Sequence, residues 1–577
     1  MNEVKNKLLS ASNDGNFLEV AYQLSLHHGD KRQSIGKEIA SLHNEGKIDA
    51  VVEFRQFSKG MTNLDFFLVR YIFEGVLPEL NAPMLSVMDC VKHLVIEAGN
   101  DMTASWIFEP FIKYCEADQN RPEEVLQIIE SSDDEWLDFI PPAVIAGSNL
   151  QLSKYIATAI ALTSHDNIEV RVRAVFALGK INYCNDKSLL DNVLQTLESV
   201  VQFEDDDNLL STIIKSAFYL YTSDNNLEKR VVILIEKALT NKGDTTLCAA
   251  SNLFGYETDK LPESFLDILL DALKSTKPQH KGTLDQIDYG LQHLVKNNQE
   301  EKAISFLEHI LVHNDELSIK VFNHLTRDLH NNKLLLSKLV TRWFLSKEFS
   351  LCESIQDIVR IGLDDDILLL ADTNQFTGKP EGSCLFAARK AVGWLFMNPV
   401  SATSFIVSLI DASGDDEAEP IIDLLFYPLL ISYPGKVKEY LNNQLPNKSP
   451  KVQKALTISL AKLDIYHDGL KAAWGISELL PSQAHRETYN RMYNREFTKS
   501  YKKAEKNSII NLLCHKEILL YGRKSINYVR GSNGQINRME IPMQSYGHSI
   551  EFPGLEYIDP HGLDYMLRVF RVEGCKE

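Results

Sequence analysis

Apolar residues recur at intervals of three and four along most of this chain, and this spacing is typical of amphipathic helices. A turn-like segment at 183–187 and a second amphipathic run at 189–201 follow the clearest example, residues 166–181. We therefore predict a helical hairpin over 166–201, whose small residues Ala174, Ala177 and Gly179 let its two helices approach closely. Six apolar side chains of 166–181 would share one helix face: Ile168, Val170, Ala174, Ala177, Leu178 and Ile181.

The same pattern continues along the chain, and its best-defined unit resembles a known repeat. Within 166–201 the order Asp, Val-Arg, Ala, Ala-Leu-Gly, turn and second helix resembles a HEAT repeat, and 448–463 is a weaker match. The resemblance implies an all-α fold, an α-solenoid of HEAT-like helical hairpins in which each pair is buried against its neighbours. A bundle of packed helical domains is the alternative that the periodicity leaves open. Further helix-length apolar runs lie at 208–221, 227–239, 261–274, 299–313 and 316–329.

We expect three regions along the chain. They are an irregular N-terminal helical region at 1–147, the HEAT-like α-solenoid at 148–484, and a basic helix with a small α+β element at 485–577. The last region would either cap the end of the solenoid or serve as a docking module, since terminal repeats need a polar covering.

The pattern of the last region changes from helical to strand-like. Residues 524–542 predict two short strands around a turn at 531–534, and 548–553 predict a third strand. Asp559 and Pro560 then indicate the start of a final short helix. A small β-containing element is therefore expected near the end of an otherwise helical chain.

Charge is distributed unevenly over the 577 residues. The chain has 60 Lys and Arg against 79 Asp and Glu, a formal net charge of −19, which argues against a general phosphate-binding surface. Residues 485–538 hold twelve Lys or Arg and four Glu, so this segment is +8 and the rest of the chain is −27. Nucleic acid could therefore be bound only through the basic segment.

Two stripes of opposite character follow the predicted basic helix at 488–506. Tyr489, Tyr493, Phe497 and Tyr501 recur every four residues, and Arg491, Arg495, Lys499 and Lys503 recur at the same interval two positions later. Two positions correspond to about 200° on a helix, so aromatics and cations lie on opposite sides. Either the aromatic stripe packs on the last solenoid pair and the cations are solvated, or the cations contact an acidic partner. The candidate partner-binding residues are Arg491, Arg495, Lys499, Lys502, Lys503, Arg523 and Arg530.

The sequence has no recognisable catalytic or cofactor motif. It lacks GxxxxGK[ST], HExxH, GxSxG and a glycine-rich dinucleotide turn. His309 and His313 could share one helix face, but two ligands do not make a metal site. The terminal set Cys514, His515, His548, His561 and Cys575 has no zinc-finger spacing. We expect no catalytic residue, no cofactor and no metal.

These observations favour a non-catalytic scaffold or adaptor that binds a macromolecule, most readily a protein, on a solenoid surface. One alternative is an acidic inhibitor or immunity protein that neutralises a basic toxin or nuclease. Some HEAT-like solenoids are DNA glycosylases, but their lesion-contacting residues cannot be carried over to positions of this chain.

The scattered cysteines suggest reduced thiols, and 1–17 lacks the apolar core of a signal peptide. No apolar run is long enough for a membrane helix. We therefore expect a cytoplasmic protein with no membrane partner.

Overall fold

The protein is described by a computed structural model that covers most of the chain. Its contacts divide the chain into two compact units, Met1–Leu325 and Thr326–Glu577. The three regions expected from the sequence stay a prediction. The described residues are 2–27, 32–60, 64–132, 134–184, 186–361, 367–506, 514–520, 524–530, 535–542 and 551–574.

The first unit is built from helices joined by short turns. A 3₁₀ turn at Ala104–Ile107 precedes the seventh helix, and α19 (Asn323–Asn331) follows the last helix of the unit. The helices of the unit are α1 (Asn2–Asn13), α2 (Phe17–His27), α3 (Arg32–Asn44), α4 (Ala50–Arg55), α5 (Phe66–Val76), α6 (Met84–Ala98), α7 (Phe108–Glu116), α8 (Arg121–Glu130), α9 (Ile140–Leu150), α10 (Leu152–Leu162), α11 (Ile168–Lys180), α12 (Lys187–Phe203), α13 (Asp207–Ser223), α14 (Glu228–Ala238), α15 (Asp244–Tyr256), α16 (Glu263–Leu273), α17 (Lys281–Lys296) and α18 (Glu300–His313).

These helices form two layers, as in an α-solenoid. Odd-numbered helices from α1 to α17 make the first layer, because each packs on the next odd-numbered helix. Even-numbered helices from α2 to α18 cover one side of that layer. Each helix pair therefore buries its apolar face against neighbouring pairs, which is the repeat architecture expected from the periodicity.

Small residues allow the first-layer helices to approach closely. A β-carbon added to Gly36 of α3 would lie 2.5 Å from the backbone of Gly75 on α5. A β-carbon on Gly255 of α15 would lie 2.6 Å from the Gln286 carbonyl oxygen on α17. Larger side chains at these positions would force the helices apart, since packed interiors have no spare volume.

The predicted hairpin is present, but its first helix packs on a different neighbour. Residues 166–201 form α11 and α12, and Val170, Ala174 and Leu178 are buried as predicted. The closest neighbours of α11, however, are α9, α10 and α13 rather than α12. The close approach expected at Gly179 is made with α13, because periodicity shows which face is buried and not which helix covers it.

The second unit continues with paired helices. Residues 425–430 form a π-helical turn after the fifth helix of this unit. Three strands lie between its eighth and ninth helices. Its helices are α20 (Lys333–Ser346), α21 (Phe349–Val359), α22 (Ser383–Leu395), α23 (Pro399–Ile410), α24 (Asp415–Leu424), α25 (Lys436–Gln444), α26 (Pro450–Trp474), α27 (Gln483–Lys506), α28 (Leu555–Ile558) and α29 (Pro560–Val572).

An extended segment at 367–372 lies between two of these helices. The backbone amides of Leu369 and Leu370 donate to Ser404 Oγ on α23 (2.9 Å) and Ser337 Oγ on α20 (3.1 Å). Ala371 and Asp372 repeat this alternation one helical turn further along. Side-chain hydroxyls thus satisfy the amides of a segment that belongs to no helix or sheet.

A three-stranded antiparallel sheet follows α27. Its strands are β1 (Cys514–Leu520), β2 (Lys524–Arg530) and β3 (Ile536–Pro542), in the order β1-β2-β3. The two strands predicted around 531–534 are β2 and β3. The prediction of a third strand at 548–553 was wrong for 551–553, which form no strand in the structure. Residues 548–550 lie outside the described residues.

The final helix returns to the middle of the second unit. Asp559 Oδ1 accepts from the Gly562 amide (2.9 Å) and begins α29, as predicted. The helix packs on α22, where the buried Lys390 Nζ donates to the Arg571 carbonyl oxygen (2.6 Å). Ahead of α29, Glu551 accepts the amides of Gly435 and Lys436 at the start of α25. The segment 551–574 is therefore anchored to the helical layers.

Candidate partner-binding site

Five of the seven predicted basic residues lie on α27, and all five are exposed. Among the described residues, no carboxylate lies within hydrogen-bonding distance of Arg491 or Arg495. Lys499 Nζ pairs with Glu496 Oε1 at 2.6 Å. Lys502 and Lys503 lie one turn further on and are also exposed. Arg530 ends β2, and its side chain is outside the described part; Arg523 lies outside the described residues.

The aromatic stripe of α27 does not pack on the solenoid, and that expectation was wrong. Tyr489, Tyr493, Phe497 and Tyr501 are 50%, 55%, 63% and 61% exposed. Every side chain of Gln483–Lys506 that the structure describes is exposed. The final helix α29 packs on α21 and α22, and α27 leaves both its aromatic and its cationic face open to solvent.

The candidate histidines take part in ring stacking. The rings of His309 and His313 stack with 4.2 Å between their centroids. Burial lowers the pKa of His309, and the charge of His313 lowers it further. His324 stacks on Tyr289 at 4.4 Å. Across the described residues, no three His, Cys, Asp or Glu side chains converge as metal ligands. His548 and Cys575 lie outside those residues, so the expected lack of a metal stays a prediction.

Three adjoining cavities lie along the first layer of unit 1, and we call them the first-layer groove. They measure about 600 Å³ beside α2 and α5, about 280 Å³ between α3, α5 and α7, and about 740 Å³ between α7, α9 and α11. They adjoin because Tyr71, Trp106 and Lys113 each line two of them. The groove therefore runs across successive helix pairs.

Aromatic side chains line the largest cavity of this groove. Trp106 on the 3₁₀ turn and Phe176 on α11 both face it and are 63% and 38% exposed. Lys180 Nζ, one turn after Phe176, lies 5.9 Å from the Phe176 ring centroid and 3.8 Å from that of Tyr219 on α13. The cation thus links aromatic rings of two adjacent repeats.

Exposed aromatic side chains recur on further first-layer helices. Tyr256 on α15 is well exposed, and Tyr289 on α17 is partly exposed. Each of these rings adds exposed apolar surface to the first-layer helices. The first layer consequently presents aromatic contact groups from Tyr71 on α5 to Tyr289 on α17.

Several charged side chains of the groove are held in ion pairs. Arg173 Nη2 contacts Asp138 Oδ1 at 2.7 Å and also pairs with Glu169. Burial alone would lower the pKa of Arg173, but hydrogen bonds to these two carboxylates raise it above its ordinary value. Arg70, which is buried, donates to Glu74 Oε1 at 2.9 Å. Burial raises the pKa of Glu74 and outweighs the opposing effect of Arg70. These pairs fix the groove walls.

Sequence reasoning missed the groove, although one signal was present. Phe176 lies about 200° from Ala174 on α11 and therefore opposite the predicted apolar stripe, on the side of Arg173 and Lys180. A phenylalanine on the polar face of an amphipathic helix indicates an exposed contact group. Trp106 gave no such signal, because a 3₁₀ turn has no periodicity to compare it with.

Comparisons with known proteins give no family. No family model matches this chain, and no curated protein matches it. Among solved structures it is similar to a "Circular tandem repeat protein with novel repeat topology and enhanced subunit contact surfaces", with 12% identity over 82% of this chain and 97% of that chain. The TM-score is 0.16, so this similarity carries no argument. In the described residues, no helix has the length and hydropathy needed to cross a membrane.

Proposed function

We propose that this protein is a non-catalytic scaffold or adaptor that binds another protein in the first-layer groove. The observation that carries the proposal is the run of exposed aromatics on successive helices, with Trp106 and Phe176 facing one cavity of about 740 Å³. Aromatic anchors in a concave surface are the groups that dominate binding energy at protein interfaces.

A protein partner fits the groove better than nucleic acid. Glu109, Glu116 and Asp138 line the same cavity as Lys113 and Lys180, so the walls are mixed in charge. Phosphate groups would meet these carboxylates, whereas nucleic-acid surfaces are dominated by cations. The glycosylase alternative is weaker for the same reason.

Binding without catalysis is part of the proposal. Arg173, Arg70 and Glu74 are occupied in ion pairs, and Glu116 accepts from Asn149 Nδ2 at 2.5 Å. Groups held in this way support the shape of a surface more than they exchange protons with a substrate. The acidic-inhibitor alternative rests on the charge of −27 outside 485–538, and the identity of the partner decides it.

We place the protein in the cytoplasm in this proposal. The six cysteines whose side chains the structure describes are unpaired, and burial raises the pKa of the Cys384 thiol to about 11. Unpaired, protonated thiols are typical of a reducing compartment. The basic residues of α27 remain candidates for a second contact.

Co-purification from the native host tests the proposal. The tagged full chain is compared with a Trp106→Ala, Phe176→Ala variant and with a matched Trp474→Ala, Phe203→Ala control, in which both residues are exposed and neither lines a cavity of the groove. We expect one protein to be enriched with the wild type and the control and to be lost with the groove variant. Equal recovery with all three chains would refute binding in the groove.

A further inference from the structure

The chain presents α27 to solvent between two anchored points. Before it, α26 is buried through Val452, Leu456 and Leu463; after it, Glu551 binds the start of α25. Between them, the described side chains of 475–506 are all exposed. The helix α27 has 24 residues and is about 36 Å long. The chain is anchored to other helices before and after α27, but neither face of α27 is covered.

Exposure of four aromatics on one face is costly for a helix in water. Burying each ring would remove apolar surface from water, and isolated helices are only marginally stable. Apolar anchors about one helical turn apart, at spacings of three or four residues, are the pattern with which a helix inserts into a groove of another protein. Tyr489, Tyr493 and Phe497 have this spacing.

The positive charge of α27 favours a groove that carries acidic side chains. Residues 483–506 contain seven Lys or Arg and three Glu, so the helix is +4, and Lys499 already neutralises Glu496. Two copies of α27 would bring two such helices together, and like charges would oppose the pairing. In a view down the helix axis, the cations occupy an arc between the two edges of the aromatic face. Arg491 lies about 80° from Tyr501 at one edge, and Lys503 lies about 40° from Tyr489 at the other edge. Acidic rims of a groove would therefore meet Arg491 and Lys503 while its floor meets the aromatics.

The same geometry disfavours the other surfaces that a basic aromatic helix can bind. Single-stranded nucleic acid needs cations and stacking rings on one side, whereas six of the seven cations of α27, all except Arg486, lie outside the aromatic arc. Membrane-surface helices insert Leu, Phe or Trp, but three of the four stripe residues are Tyr. Tyr suits a protein interface because its hydroxyl can stay hydrogen-bonded while its ring is buried.

We propose that α27 is a docking helix whose aromatic face enters an apolar groove with acidic rims on a partner protein. The inference rests on the proposed function only in that the protein acts by binding. It concerns a different surface from the first-layer groove, in the second unit of the chain.

Photocrosslinking of the full chain in its native host tests this inference. Tyr493→p-benzoylphenylalanine places the photoreactive group in the middle of the aromatic face. We expect it to cross-link to a protein at a peptide rich in Asp and Glu. Cross-linking to a second copy, to nucleic acid or to lipid would overturn the inference, as would the absence of any cross-link.

Charge-matched variants make the test specific. Arg491→Glu with Lys503→Glu changes the two rims, and Arg495→Glu with Lys506→Glu changes the middle of the cationic arc by the same charge. The rim variant should lower the cross-linking yield about tenfold, because these cations face the acidic rims, and the middle variant should lower it about twofold or less. Equal losses would mean that only net charge matters and would overturn the groove geometry.

Two further chains separate the outcomes. Tyr489→Ala with Phe497→Ala should lower the yield about tenfold or more, since buried aromatic anchors dominate binding, and an unchanged yield would contradict the inference. Trp106→Ala with Phe176→Ala should leave the α27 cross-link unchanged. The experiment therefore tests docking by α27 separately from binding in the first-layer groove. Circular dichroism of each variant verifies that the chain is folded.

Discussion

Gly179 of α11 and Ser216 of α13 approach so closely that a β-carbon on residue 179 would lie 2.6 Å from the Ser216 Cα. Ser216 Oγ also donates to the Val175 carbonyl oxygen of α11 at 2.9 Å. The contact joins consecutive helices of the first layer, and those helices carry Phe176 and Tyr219 on their outer face. The spacing of the repeats therefore sets the spacing of the groove aromatics.

Gly179→Ala should destabilise unit 1. The added methyl group would overlap with the Cα and the side chain of Ser216, so the helices must shift, at a cost of roughly 1–3 kcal/mol. Chemical denaturation measures the change. Gly282→Ala is the matched control, because Gly282 lies in the first turn of α17 with nothing within 4 Å of the added carbon. It should be neutral or stabilising by up to about 1 kcal/mol, and equal destabilisation by both changes would contradict the packing assignment.

Ala174→Leu should also destabilise the fold, by roughly 1–3 kcal/mol. Ala174 is fully buried on α11, whose neighbours α9, α10 and α13 leave no exposed side for the larger side chain. The melting temperature reports the effect. A variant that melts with the wild type would show that the site around Ala174 has spare volume.

Asp207 should make stability depend on pH. Burial alone would raise the pKa of Asp207, but hydrogen bonds from Thr245 and Thr246 at the start of α15 outweigh burial and lower the pKa below its ordinary value of 3.8. A depressed carboxyl pKa stabilises the folded state above the ordinary pKa, and this contribution is lost as the pH falls through the folded value. Asp207→Asn should therefore be less stable than the wild type at pH 7.

Unfolding measured from pH 7 down to pH 2 tests this sign. The difference in unfolding free energy between wild type and Asp207→Asn should shrink as the pH falls below 3.8. A difference that stays constant over this range would exclude the carboxylate charge as its cause.

The aromatic stripe of α27 should contribute little to stability. Tyr493→Ala with Phe497→Ala removes side chains that are more than half exposed, so we expect a change within about 0.5 kcal/mol. Had the stripe packed on the solenoid, the loss would be about 3–5 kcal/mol for each residue. Thermal melting distinguishes these values, and a large loss would place the aromatic face against the helical layers.

Local periodicity was enough to predict the helices and part of the small sheet. The bounds of α11 and α12 follow from the apolar stripe and the turn between them, and β2 and β3 follow from alternation around a turn. β1 was missed because the run that contains it, at 511–520, alternates poorly. Periodicity describes one element at a time.

Contacts between elements were the part that periodicity could not supply. Trp106 and Phe176 are 70 positions apart in the sequence and share a cavity only because α7, α9 and α11 stack. The return of α29 to α22 is likewise a contact between residues about 180 positions apart. Both depend on tertiary packing, which a single sequence does not encode as a local pattern.

Binding of a protein in the first-layer groove is the central claim, and the affinity of the purified partner tests it most directly. Isothermal titration calorimetry would compare wild type, Trp106→Ala with Phe176→Ala, and the control Trp474→Ala with Phe203→Ala. The account predicts an affinity about tenfold or more weaker for the groove variant, with the control unchanged, because exposed aromatics in a concave site act as anchors. An affinity of the groove variant equal to that of the wild type would contradict it.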